Sequence, residues 1–158
     1  ILIDSSPNYE ELKPVIDTAD RVFVITSPDH VTFETSLKAA ELAREQNTPI
    51  EGLIVNKIRS PAHEYTLNQL ESYSDIPVMA KIKDHKKIAQ AMYHRTPITI
   101  DLPNNIISKE IKRLASALCG EEEITNTFFK ALFTNPLVSK EKVNREFLRQ
   151  KFYESQFT

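Results

Sequence analysis

The chain opens "ILID", three aliphatic residues running straight into Asp4, and Ser5, Ser6 and Pro7 follow. A carboxylate at the end of a buried strand can face a ligand without being buried unpaired. That is the placement a nucleotide-hydrolysing site uses to hold magnesium, usually through water. The same residues have a purely structural use, since aspartate and serine cap helix starts. Both readings of Asp4 stay open on these residues alone. Two further apolar runs end in polar pairs, "VFVITSPD" and "GLIVNK". Asn56 and Lys57, closing the second, serve equally well as a strand-end turn.

The elements that would carry these residues read as alternating strands and helices. Residues 1–3, 22–25, 53–55 and 78–82 are short apolar strands, and 98–100 is a weaker one. Helical patterns fill the gaps: 8–18 with Pro7 in the first position and Ser6 as cap, 32–46, 63–73 and 86–94. Ile107, Ile111, Leu114, Ala115 and Leu118 make the clearest stripe, and Gly120 is its natural stop. Such alternation predicts an α/β fold, a parallel sheet with helices on both faces. In such sheets ligands sit at the carboxyl ends of the strands, where the Asp4–Pro7 turn, "TSPD" and "NK" fall.

Composition narrows the chemistry. The 158 residues are 41% hydrophobic and 27% charged, with a net charge of -2, so the whole-chain balance has no pull toward nucleic acid or anionic lipid. No apolar run is long enough to span a bilayer, which leads us to expect no transmembrane segment and a cytoplasmic protein. The single cysteine, Cys119, excludes an internal disulfide and any CxxC zinc site from these residues. His30, His63, His85 and His94 lack metal-ligand spacing. Only two glycines occur, Gly52 and Gly120, and neither belongs to a phosphate-cradling loop or a GxGxxG turn.

The opening "ILID" with its Ser5-Ser6-Pro7 turn, then "VFVITSPD", "GLIVNK", "IPVMAKIKDHKKIAQAMYHRTPI" and the 105–118 helix, in that order, resembles the second half of a MinD/ParA-type ATPase, over residues 1 to about 119. That family is a deviant Walker A class of P-loop proteins serving cell-division site selection and chromosome or plasmid partition. The resemblance implies a partial P-loop NTPase-like fold lacking its N-terminal P-loop unit, with ATP and Mg2+ as cofactors once that half is present. It makes Asp4 the Walker B-like carboxylate that holds magnesium indirectly. Ser5, Ser6 and Pro7 become the turn on the phosphate side, and Asn56 and Lys57 the adenine side. Lys83 and Asp84 stand where the family's base loop passes. The resemblance further implies a homodimer joined by ATP in the intact protein. The chain departs from the family in having "NYEE" where a glycine is usual and Lys83 where proline is usual. Without the phosphate cradle these residues alone are expected to be inactive, and Ile1 is expected to lie inside a longer protein.

Two domains follow: 1–120 as the nucleotide-binding part and 121–158 as a helical appendage. Within the appendage Ile124, Phe128, Phe129, Leu132 and Phe133 share a helix face behind Glu121, Glu122 and Glu123. Leading acids suit a protein partner better than anionic lipid. Lys81, Lys83, Lys86, Lys87, His94 and Arg95 form the most basic stretch. A solvated helix face accounts for it, with non-specific DNA binding through phosphates as the other use. An alternative to the switch ATPase is a non-enzymatic module of the same fold that docks a partner through residues 121–158.

Overall fold

The computed structural model describes residues 1–6, 8–59 and 62–119. The element order is α1 (Tyr9–Thr18), β1 (Val22–Thr26), α2 (His30–Glu45), β2 (Ile50–Ile58), α3 (Leu67–Ser74), β3 (Val78–Lys83), α4 (Lys86–Tyr93), α5 (Ile98–Asp101) and α6 (Ile106–Cys119). The strands form a parallel sheet in the order β1-β2-β3. The expected α/β class is the observed one. The chain divides into two compact units, Ile1–Lys81 and Ile82–Thr158.

In the first unit, β1 and β2 pair from Val22 opposite Ile50 to Thr26 opposite Val55. The register slips once, because Phe23 faces Gly52 and leaves Glu51 as an extra residue on β2. A bulge of this kind frees one side chain from the ladder, and Glu51 uses its freedom to meet the Arg21 guanidinium at 3.1 Å. Val24, Leu53, Val55 and Val78 of the sheet pack with Phe33 and Ala40 of α2 and with Leu70 and Ile76 around α3. A second cluster joins Ile16 of α1 to Leu42 and Ala43 of α2. Burial of these aliphatic and aromatic side chains, each worth about 1.5–3 kcal/mol when complete, is what holds the helices on the sheet.

The second unit has its own core. Ala91 of α4, Ile98 of α5 and Ile107 of α6 are buried together, with Ile82, Ile88, Leu102 and Ile111 packed against them. Ser108 is fully buried there, its hydroxyl within hydrogen-bond distance of the carbonyl oxygens of Leu102 at 2.7 Å and Ile98 at 3.0 Å.

Four expectations are corrected. Residues 1–3 form no strand; Ile1, Leu2 and Ile3 are all exposed, and no described strand pairs with them. Apolarity alone does not make a strand, since the ladder hydrogen bonds need a neighbour. Residues 98–100 are helical, turning through α5 with bonds from the N–H groups of Ile100 and Asp101 to the Pro97 carbonyl. Asn8, and not Ser6, caps α1, its side chain accepting from the Glu10 N–H. Helix α3 starts only at Leu67, because Thr66 and Gln69 form a reciprocal capping box that fixes its first turn there. Along α6, Ile107 is buried and Ile111 and Leu114 are half-buried, whereas Ala115 and Leu118 are exposed. Gly120 and the appendage of 121–158 lie outside the described residues.

Candidate functional site at the carboxyl edge of the sheet

Parallel strands deliver their carboxyl ends to one edge. Because Thr26 pairs with Val55, the next residues along, Ser27 and Asn56, leave β1 and the ladder side by side. Thr26 and Pro28 are buried and anchor the first of these exits. The Ser36 hydroxyl of α2 reaches the Ile25 carbonyl at 3.2 Å and the Thr32 carbonyl at 2.8 Å, fastening the helix start to the strand end.

Asn56 turns its side-chain oxygen onto the backbone N–H of Lys57 at 2.8 Å. Lys57 adopts φ 56°, the left-handed region that side chains other than those of Gly, Asn and Asp rarely enter. Such strain persists where surroundings hold it, and here the Asn56 carboxamide supplies one of the holding bonds. The side-chain amide group of Asn56 has no further partner among the described residues, so it keeps two donors and an oxygen lone pair for a ligand. The exposed Lys57 ammonium stands next to it.

The loop after β1 is built around Asp29, which caps α2 by accepting from the Thr32 N–H at 2.9 Å. That bond is the main reason its carboxyl is held below the usual carboxylate range; the Arg59 charge adds in the same direction and desolvation opposes it. The Arg59 N–H in turn donates to the Glu64 carboxylate at 3.0 and 3.1 Å. Tyr65 completes the connection. Its N–H donates to the Pro28 carbonyl at 2.9 Å, and its hydroxyl lies 2.9 Å from Nδ1 of His30. Its ring meets Phe33 and Tyr73 edge-on, both at 5.6 Å between centroids.

The other expected site residues are less closely gathered. Asp4 is exposed, in a segment without regular structure, so it is not carried on a strand end as expected. The Ser5 hydroxyl contacts the Ser6 carbonyl at 3.4 Å, while the Ser6 hydroxyl donates to the Glu11 carboxylate at 2.6 Å. Pro7 lies outside the described residues. Among those described, no hydrogen bond or ion pair joins Asp4 to Asn56 or Lys57. Lys83 ends β3 in the second unit, and Asp84 follows it, just before His85 caps α4 by accepting from the Lys87 N–H. The sequence reading missed the Asp29, His30, Arg59, Glu64 and Tyr65 connection. Only "SPDH" before a helical pattern signals any of it, through the cap residue.

A solved structure decides the fold. The MinD cell division protein of Aquifex aeolicus superposes with a TM-score of 0.61 at 17% identity, over 67% of this chain and 46% of that one. The fold is MinD-like. Within the curated proteins, an uncharacterized ATP-binding protein of Methanocaldococcus jannaschii is 24% identical over 128 residues, covering 75% of this chain and 48% of its own length. The chain therefore spans about half the length of the relatives it matches. No protein-family model matches it. In open α/β sheets generally, ligands sit at the carboxyl edge of the strands. Among the described residues no helix is long and apolar enough to cross a membrane, and no cluster of three or more His, Cys, Asp or Glu side chains is arranged to hold a metal.

Proposed function

We propose that this chain supplies the base-binding part of the nucleotide site in an ATP-dependent, dimerising switch of the MinD/ParA kind, acting in positioning or partition. The observation that carries this reading is the carboxyl-end stretch of β2. There an Asn56 carboxamide with free donors and an oxygen lone pair stands at the sheet's carboxyl edge, on a strained Lys57 backbone. A carboxamide that donates and accepts at once is the group that matches an adenine edge. The similarity to an ATP-binding protein supports a nucleotide as the ligand.

Asp4 would hold Mg2+ through water, with phosphate oxygens completing the coordination. A single exposed carboxylate fits that arrangement and does not fit an all-protein metal cage. When bound, the ion supplies charge stabilisation to the transferring phosphoryl group. Ser5, Ser6 and Pro7 would line the phosphate side, and Lys83 and Asp84 the base loop. The two glycines of these residues provide no phosphate cradle, so Asn56 and Lys57 orient the base while the phosphates are held elsewhere in the intact protein.

Titration of the intact protein with a fluorescent adenine nucleotide and Mg2+ tests the reading. ATP should compete better than GTP, and Asn56→Ala should weaken ATP binding about ten- to a hundred-fold, as expected for two lost hydrogen bonds. Equal competition by GTP together with an unaffected Asn56→Ala variant would exclude the adenine role. The second reading, a docking module of the same fold without catalysis, is favoured by the exposed, strand-free placement of Asp4. A protein that binds no nucleotide but captures a partner through residues 121–158 would establish it.

A further inference from the structure

We propose that Tyr65 is a positioning residue that ties the carboxyl-end stretch of β2 to the loop at the end of β1, and so holds the Asn56 carboxamide in its binding orientation. The inference rests on the nucleotide reading of Asn56. It adds a group that touches no nucleotide yet sets where the base-binding amide points.

Three observations support it. First, the tie is two-point: the Tyr65 N–H bonds the Pro28 carbonyl and the Tyr65 hydroxyl meets His30, both at 2.9 Å. Pro28 is fully buried, so one end of the tie is fixed in the core. Secondly, the tie connects back to the end of β2. Glu64, the residue before Tyr65, accepts from the Arg59 N–H through both carboxylate oxygens, and Arg59 follows Lys57 by two residues. Ile58, between them, packs against the main core cluster. Thirdly, Lys57 sits at positive φ, a conformation that relaxes unless the flanking backbone is restrained. The chain from Pro28 through Tyr65, Glu64 and Arg59 is that restraint on the far side of Lys57.

The ring and the hydroxyl of Tyr65 do separable work. The ring packs against Phe33 and Tyr73, which a phenylalanine would reproduce. The hydroxyl alone reaches His30. Tyr65→Phe therefore removes one arm of the tie and leaves the packing. His30→Ala removes the same arm from the other side, and the double variant closes the cycle.

The test compares these variants with the wild type in the intact protein by two readouts. Amide hydrogen exchange is followed at Lys57 and Arg59, with Leu53 and Val55 as core references, and affinity is measured with the fluorescent adenine nucleotide. Tyr65→Phe should speed exchange at Lys57 and Arg59 only and weaken nucleotide binding about three- to ten-fold. His30→Ala should do the same, and the double variant should add little. Unchanged exchange at Lys57 and Arg59 would overturn the proposal, as would a uniform change that includes the core amides. Faster exchange at Lys57 and Arg59 with unaltered nucleotide affinity would overturn the positioning role. If the wild type binds no nucleotide, it is the base-binding reading that fails, and the exchange pattern still decides whether the tie exists.

Discussion

A Cβ built on Gly52 would stand 2.2 Å from Cγ of Met79 and 2.9 Å from the carbonyl oxygen of Pro77. The two strands approach here because Gly52 has no side chain, and the same Pro77 carbonyl accepts the Leu53 N–H at 2.8 Å. The clash falls on Cγ, near the base of the fully buried Met79 side chain, and the Pro77 carbonyl cannot move without losing that bond. Gly52→Ala should therefore destabilise the fold by about 1–3 kcal/mol, the usual range for overpacking a tight core, read as a lowered midpoint in denaturant at unchanged slope.

Lys57 separates charge from backbone. Lys57→Gly relieves a left-handed conformation and gives back some of that gain in unfolded-state entropy, so stability should hold or rise by up to about 1 kcal/mol. Lys57→Val puts a β-branched side chain in the same region and should lose about 1–2 kcal/mol. If both variants lose nucleotide affinity equally while their melting temperatures diverge, the ammonium acts on the ligand and the strain acts on the fold.

Asp29 predicts a specific acid response. Its carboxyl is held below the ordinary value of 3.8, chiefly by the Thr32 N–H. A group whose pKa is lowered by folding stabilises the native state fully above its unfolded value and ceases to do so as the pH falls through the folded one. Wild-type stability should thus decline below about pH 4, and Asp29→Asn, which keeps the cap but not the charge, should show a shallower decline there. Asp29→Ala should lose about 1 kcal/mol at neutral pH through the missing cap. Urea unfolding at a series of pH values distinguishes the three.

Ser108 tests the second unit on its own. Its hydroxyl serves carbonyl oxygens of Ile98 and Leu102 from a fully buried position. Ser108→Ala should cost about 1 kcal/mol by removing the hydroxyl's own bond, since the Ile98 and Leu102 carbonyls keep the backbone N–H groups of Leu102 and Asn105. Ser108→Val adds volume as well and should cost more. Exchange at amides of α4, α5 and α6 should rise in both, which localises the effect.

Much of this fold is legible in the residues. "VFVI" and "VMAKI" are strands because β-branched and aliphatic runs of that length, bounded by polar pairs, have few other uses. The parallel arrangement follows from their alternation with helices. What local pattern could not decide was partnership. Residues 1–3 are as apolar as β1, yet no described strand pairs with them. The 98–100 segment carries strand-forming isoleucines, but Pro97 and the Ile98 carbonyl turn it into a helical bend. At the site, the type of Asn56 was readable and its geometry was not. Lys57 at positive φ and the meeting of Tyr65 with His30, 35 residues apart, depend on contacts that only the folded chain brings together.

The alternation along β1 has a consequence for assembly. Val24 and Thr26 are buried while Ile25, between them, is 59% exposed, and β1 is the last described strand on its side of the sheet. On β2 the register partner of Ile25, Ile54, is almost covered. Exposed apolar surface on that face thus lies on β1 and not on β2. A strand added beside β1 would therefore meet exposed apolar surface as well as ladder, and the slipped register between Val22 and Phe23 would set where its regular pairing begins.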